Sequence, residues 1–179
     1  MCPLFLLKQE SVEVKNMRYH NITKDDMLNG DGLRTVLWVA GCDHGCKGCQ
    51  NPVTWDPNSG LEFDDAAKEE IFEQLNQSYI AGITFSGGDP LYWGNVADVT
   101  ELAKEIKEKY PKKTIWLYTG SLWERIQGMD ILQYIDVLVD GEFYGREKKD
   151  VSLKWKGSSN QRVIDVQQSL KTGTVVLHA

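Results

Sequence analysis

The sequence predicts an α/β fold, an incomplete βα barrel of about six parallel strands. Short apolar runs alternate with amphipathic helical segments from about Leu33 onward, which is the pattern of parallel βα units. Several runs are continuous and rich in β-branched or aromatic residues, as in strands covered on both faces. Residues suited to chemistry follow the ends of four runs, the rim where βα barrels build their sites. A full eight-stranded barrel takes about 250 residues, so a chain of 179 residues predicts a partial one.

Residues 1–16 read as an N-terminal extension and residues 17–179 as a single domain. Within the extension Ser11 to Lys15 alternates weakly, as an edge strand would, and Met17 offers an alternative start. The strands expected after it are Arg34–Ala40, Ile83–Phe85, Thr114–Tyr118, Ile135–Val139, Arg162–Val166 and Thr174–Leu177. Asp64 to Tyr79 predicts a helix with Ala67, Ile71 and Leu75 on one side. A second helix follows Asn95, an N-cap with Asp98 three residues on. Val96, Val99, Ala103, Ile106 and Tyr110 recur along it at helical spacing, and Pro111 stops it. Lys104, Lys107 and Lys109 suit its negative end and read as a solvated face. No internal repeat or low-complexity linker divides the chain.

Hydrophobic residues make up 41% of the chain, enough for a core of ordinary size. The net charge of −6 argues against a nucleic-acid partner, which would favour a basic face. No stretch approaches the ~20 apolar residues of a membrane span. Met1 to Leu7 lacks the basic start of a signal peptide. Unpaired thiols without an export signal predict a cytoplasmic setting.

Cys42, Cys46 and Cys49 stand directly after the first expected strand, and the only other cysteine is Cys2. Thiolates at this spacing can wrap three corners of one cluster or metal. A closed iron–sulfur site uses four, so a triplet predicts a cluster with one iron open, and open positions mark reactive sites. Structural zinc remains the alternative, although its usual signature has two separated ligand pairs. His44, inside the loop, is a cramped candidate for a fourth ligand, and a disulfide staple is not expected. After the second expected strand come Gly87 and Gly88, which let backbone approach a ligand, and Asp89, which offers a carboxylate to an ammonium group. Thr119-Gly120 and Asp140-Gly141-Glu142 follow the next two strands, so one shared pocket is expected.

Cys42-x-x-x-Cys46-x-x-Cys49 followed by Gly87-Gly88-Asp89 resembles the radical S-adenosylmethionine superfamily. Asn29 to Arg34, Gly48 to Pro52, Ser86 to Leu91, Val137 to Gly141 and Trp155 to Arg162 resemble one family within it, the activating enzymes of anaerobic (class III) ribonucleoside-triphosphate reductase. The resemblance runs from about Tyr19 to Val166. It implies that Cys42, Cys46 and Cys49 bind a 4Fe–4S cluster and are its catalytic centre. The free iron would take the amino and carboxylate groups of S-adenosylmethionine. Gly87, Gly88 and Asp89 would line the methionyl end, while Gly48 and Gln50 would border the adenosyl part. One electron would then cleave the sulfonium C–S bond, and the resulting radical would take hydrogen from a glycine of the reductase. A flavodoxin-like or ferredoxin-like protein would supply the electron.

The chain departs from the wider superfamily at several points. Gly48 stands where many members carry an aromatic residue, so adenine stacking must come from elsewhere. Asp89 replaces the commoner glutamate. Asp140 matches an aspartate of a related activase and is carried over as a cofactor-binding residue, whereas Glu142 does not match the lysine of that activase and is not carried over. Ser158, Ser159 and Asn160 suit either a cofactor or partner contact or a capped polar turn. Trp38, Trp116 and Trp155 are expected to pack, and Cys2 to be a bystander. Two other classes stay open: a zinc or electron-carrier module without catalysis, and a radical enzyme acting on a small molecule or another glycyl-radical protein.

Overall fold

The computed structural model describes residues 16–145 and 152–179. Its strands are β1 (Arg18–Asp26), β2 (Leu33–Val39), β3 (Leu61–Glu62), β4 (Ile80–Gly87), β5 (Thr114–Tyr118), β6 (Val137–Asp140) and β7 (Arg162–Asp165). The helices are α1 (Asp65–Leu75), α2 (Val96–Lys109), α3 (Trp123–Ile126) and α4 (Val166–Thr172). All seven strands form one mixed sheet in the order β3-β1-β2-β4-β5-β6-β7.

Fewer strands are parallel than the sequence led us to expect. β2, β4, β5 and β6 run parallel, whereas β1, β3 and β7 join antiparallel. The causes lie in the connections. A parallel pair needs a crossover of about a dozen residues or more, and the six residues between β1 and β2 allow only a hairpin. The expected strand at Thr174–Leu177 is reduced to a single bridge between Leu177 and Ile164. The edge strand expected at Ser11–Lys15 lies outside the described residues.

Alternation along the parallel strands separates two faces. Leu37 and Val39, Ile83 and Phe85, Ile115 and Leu117, and Leu138 enter the main core with the helices. There they meet Ala67, Ile71, Phe72 and Leu75 of α1 and Val99, Leu102, Ala103 and Ile106 of α2. Each such buried Val, Leu, Ile or Phe contributes about 1.5–3 kcal/mol. The opposite face carries Trp116, Val137 and Val139, with Tyr118, Trp155 and Val163 against them.

Arg34 anchors the foot of this second face and is fully buried. All of its guanidinium donors find acceptors: Nε on Thr84 Oγ1 at 2.9 Å, Nη1 on the Asp31 carbonyl and Thr114 Oγ1, and Nη2 on the Ile83 and Thr114 carbonyls. Burial still pushes its pKa down to about 10. Gly30 is required beside it, because a Cβ there would lie 2.8 Å from both Arg34 and Trp116. The Asn29-Gly-Asp-Gly-Leu-Arg34 stretch is thus a loop wrapped around a buried cation that ties β2, β4 and β5 together.

Asn95 and Asp98 depart from the capping box. The Asn95 side chain makes no cap hydrogen bond. It donates instead to the carbonyls of Ala40 (2.8 Å) and Asp89 (3.1 Å), and Asp98 accepts the Met17 amide at 2.7 Å.

Candidate iron–sulfur site at the sheet rim

The cysteine loop leaves β2 through Gly41, whose amide donates to the Thr54 carbonyl at 2.7 Å, while the Cys42 amide donates to Trp55. Cys42, Cys46 and Cys49 are free and partly exposed, and all three line one cavity of about 690 Å³, a size typical of cofactor sites. Cys49 Sγ accepts the Asn51 amide at 3.3 Å, and the backbone amides of His44 and Phe143 act against burial to favour the thiolate of Cys42 and of Cys46. Amides aimed at sulfur stabilise the thiolate form and tune a cluster's potential. Among the described residues no three His, Cys, Asp or Glu side chains converge closely enough to hold a single ion. A cubic cluster does not require that convergence, since each thiolate takes a different iron.

Burial pushes the Cys42 thiol up to about 11 and raises Cys46 as well. The cluster-free loop is therefore protonated at Cys42 near neutrality, and loading must displace that proton, so loading tightens as pH rises. We expect iodoacetamide to alkylate Cys42 of the cluster-free protein at pH 8 on the order of tenfold more slowly than a free thiol, the lower thiolate fraction being partly offset by greater nucleophilicity. Peptide mass spectrometry measures this, and labelling at an ordinary rate would contradict the raised Cys42 pKa.

The Gly-Gly-Asp turn is built against the base of that loop. Gly87 has φ 109°, and a Cβ on it would lie 2.6 Å from the Val39 backbone. A Cβ on Gly88 would lie 2.4 Å from the Gly41 carbonyl oxygen. Gly88 and Asp89 donate their amides to the carbonyls of Val39 and Gly41, each at 2.8 Å. Only bare backbone fits this close approach, and both glycines also face the cavity.

Gln50 lines the cavity with the cysteines. Gly48 is turned instead toward Gly145, 3.6 Å from where its Cβ would be. Asp89 is 2% exposed and stands behind the cavity wall. Its Oδ1 accepts the Leu91 amide at 2.8 Å; its Oδ2 accepts Thr119 Oγ1 at 2.9 Å and the Gly120 amide at 3.2 Å, and also pairs with His44 Nε2. His44 in turn has Nδ1 at 4.0 Å from Glu142, so both ring nitrogens face carboxylates rather than the thiols. The Asp89 contact raises the His44 pKa.

Asp140 lies outside the cavity and is fully buried. Its carboxylate accepts the Trp123 amide at 2.8 Å and two donors of Arg162. Arg162 also forks onto Glu124 at 3.0 and 2.9 Å, and this double pairing raises the guanidinium pKa.

Several cavity residues were not singled out for function by the sequence. Trp38, Trp55, Tyr118, Phe143 and Trp155 line it and supply the aromatic surface that Gly48 does not, with Lys156 beside them. For Trp38 and Tyr118 the signal was present as strand alternation, since both project from the second face. The Gly157–Gln161 turn is a structural lock: Gln161 Oε1 accepts the amides of Gly157 (2.8 Å) and Ser158 (3.1 Å), and its Nε2 donates to Gly141. Ser158 is buried and accepts the Tyr144 amide, and Asn160 donates to the Glu142 carbonyl.

Thiols, glycine cradle and cavity together define a protein built around one iron–sulfur cluster, and the family described as a 4Fe-4S single cluster domain matches residues 28–164. Curated relatives narrow the class. The chain is 44% identical over 151 residues to the anaerobic ribonucleoside-triphosphate reductase-activating protein of Escherichia coli K12, covering 82% of this chain and 97% of that one. It is 41% identical over 149 residues to that of Enterobacteria phage T4, covering 82% and 93%, and 41% identical over 149 residues to that of Haemophilus influenzae, covering 81% and 96%. The chain belongs to the family of anaerobic ribonucleoside-triphosphate reductase-activating proteins.

Proposed function

We propose that this protein activates anaerobic ribonucleoside-triphosphate reductase, with Cys42, Cys46 and Cys49 holding a 4Fe–4S cluster beside bound S-adenosylmethionine. The observation that carries the reading is the single cavity onto which three free thiols, Gln50 and the Gly87-Gly88 backbone all open. The donor set fits the group: three thiolates leave one iron of a cube for an outside ligand, and His44 is committed to Asp89. Held by Cys42, Cys46 and Cys49, such a cluster would supply single electrons for cleaving the sulfonium C–S bond, the chemistry needed to place a glycyl radical on the reductase.

The chain's own residues position and shield. Backbone at Gly87 and Gly88 borders the methionyl end, where no side chain intrudes. Trp38, Trp55, Tyr118, Phe143 and Trp155 offer apolar faces for the adenosyl part and exclude water from a reactive centre. Asp89 and Asp140 act from behind the wall, through His44 and Arg162. The cavity-facing side of the sheet supports reading the architecture as a partial barrel, with residues 17–179 as one domain. A flavodoxin-like donor fits the need for single electrons, and free thiols fit the cytoplasm. Among the described residues no helix is long and apolar enough to cross a membrane.

Anaerobically reconstituted protein with dithionite is expected to convert S-adenosylmethionine to 5′-deoxyadenosine, read by chromatography. Adding the cognate reductase should give a glycyl radical by electron paramagnetic resonance. Colourless protein holding one zinc and producing no 5′-deoxyadenosine would sink the reading.

A further inference from the structure

His44, inside the cysteine loop, reaches across to the Gly-Gly-Asp turn. Its ring nitrogen meets the carboxylate of Asp89, forty-five positions along the chain. Contacts of the thiols aside, this is the one side-chain hydrogen bond between residues 43–48 and the rest of the chain among the described residues. The anchor itself is rigid. Asp89 is 2% exposed, and its two oxygens also accept the Leu91 amide, the Thr119 hydroxyl and the Gly120 amide. Thr119 and Gly120 follow β5, and Asp89 follows β4. The imidazole therefore fixes a loop from β2 to the ends of the next two parallel strands. It also packs tightly there: a Cβ on Gly120 would lie 2.6 Å from the His44 ring.

Asp89 is bonded directly to Gly88, which faces the cavity, and His44 lies midway between Cys42 and Cys46. A shift in the His44–Asp89 pair would move two cluster thiols relative to the Gly-Gly backbone. We infer that His44 is a positioning residue that sets the cluster loop in register with the S-adenosylmethionine cradle, acting through Asp89. The inference rests on the reading above that the cavity holds both groups. A carboxylate already accepting from His44, Thr119, Gly120 and Leu91 has little capacity left for a ligand's ammonium, so Asp89 serves the cradle indirectly. Without the tie, the loop between Cys42 and Cys46 still carries its thiols and still assembles a cluster. What it loses is a fixed distance from the free iron to the site of the sulfonium cofactor, and small misplacements at such distances are costly.

The test compares wild type with His44→Ala and His44→Gln after anaerobic reconstitution. Glutamine retains an N–H donor that can reach Asp89; alanine does not. Four readouts are taken: iron and sulfide content, melting temperature, the dissociation constant of S-adenosylmethionine, and the change its addition causes in the resonance spectrum of the reduced cluster. His44→Ala is expected to keep full iron, bind S-adenosylmethionine about tenfold more weakly and show a diminished spectral change, with His44→Gln restoring both. Unchanged affinity in His44→Ala overturns the inference. So does loss of iron or a collapsed melting temperature in His44→Ala, which would make the residue a holder of the loop. Failure of His44→Gln to restore affinity also overturns it. Absence of binding and cleavage in wild type is a separate result that sinks the functional reading instead.

Discussion

Replacing any one of Cys42, Cys46 or Cys49 by alanine is expected to lower 5′-deoxyadenosine production by more than about 100-fold, because loss of a direct ligand exceeds the 10–100-fold typical of outer-shell partners. The reasoning is local. The three sulfurs lie on one loop and line one cavity, and among the described residues no neighbouring side chain stands ready to take over. His44 faces Asp89 and Glu142. The fold should survive, since the cysteines are partly exposed and outside the hydrophobic core. Melting temperatures of the cluster-free variants should therefore match that of cluster-free wild type. Cys2→Ala, by contrast, should leave both iron content and turnover unchanged. Iron analysis together with product chromatography decides the matter. A variant that keeps its cluster and its turnover removes that cysteine from the ligand set.

Much of the site could be read from the sequence because its parts are short and local. A triplet of cysteines after an apolar run, and two glycines after the next, each need only a few residues to be recognised. The four parallel strands were likewise visible as runs covered on both faces, and β5 falls at Thr114–Tyr118 as expected. β1 was missed because only Ile22 within it is buried, so its half-solvated sequence carries little hydrophobic signal. Long-range polar pairing was also hidden. Asn95 and Asp98 look like a capping box, yet one holds the end of β2 and the other the backbone of Met17. Asp89 and Asp140 look like free carboxylates at the rim. Their cationic partners, His44 and Arg162, lie 45 and 22 positions away, a separation that local spacing rules do not capture.

Asp140→Ala is expected to cost stability and leave cofactor affinity largely intact. Truncating one partner of a buried pair typically costs about 3–5 kcal/mol. Arg162 keeps Glu124 and reaches solvent, which lowers the expectation to about 2–3 kcal/mol, or roughly 4–12 °C for a chain of this length. The carboxylate holds more than the arginine. It also caps the Trp123 amide at the start of α3, so alanine leaves a buried donor unpaired beside Arg162. Arg162→Ala should destabilise as well, by stranding a fully buried carboxylate. The double variant should cost less than the sum of the two singles, because the charge left behind in either single is gone. Thermal unfolding of the four proteins gives the coupling. The same proteins after reconstitution should bind S-adenosylmethionine within about threefold of wild type, since neither Asp140 nor Arg162 faces the cavity. A large loss of affinity with an unchanged melting temperature would instead place Asp140 in contact with the cofactor. Its position would then have to differ from the buried one, where Arg162 and Trp123 already engage both of its oxygens.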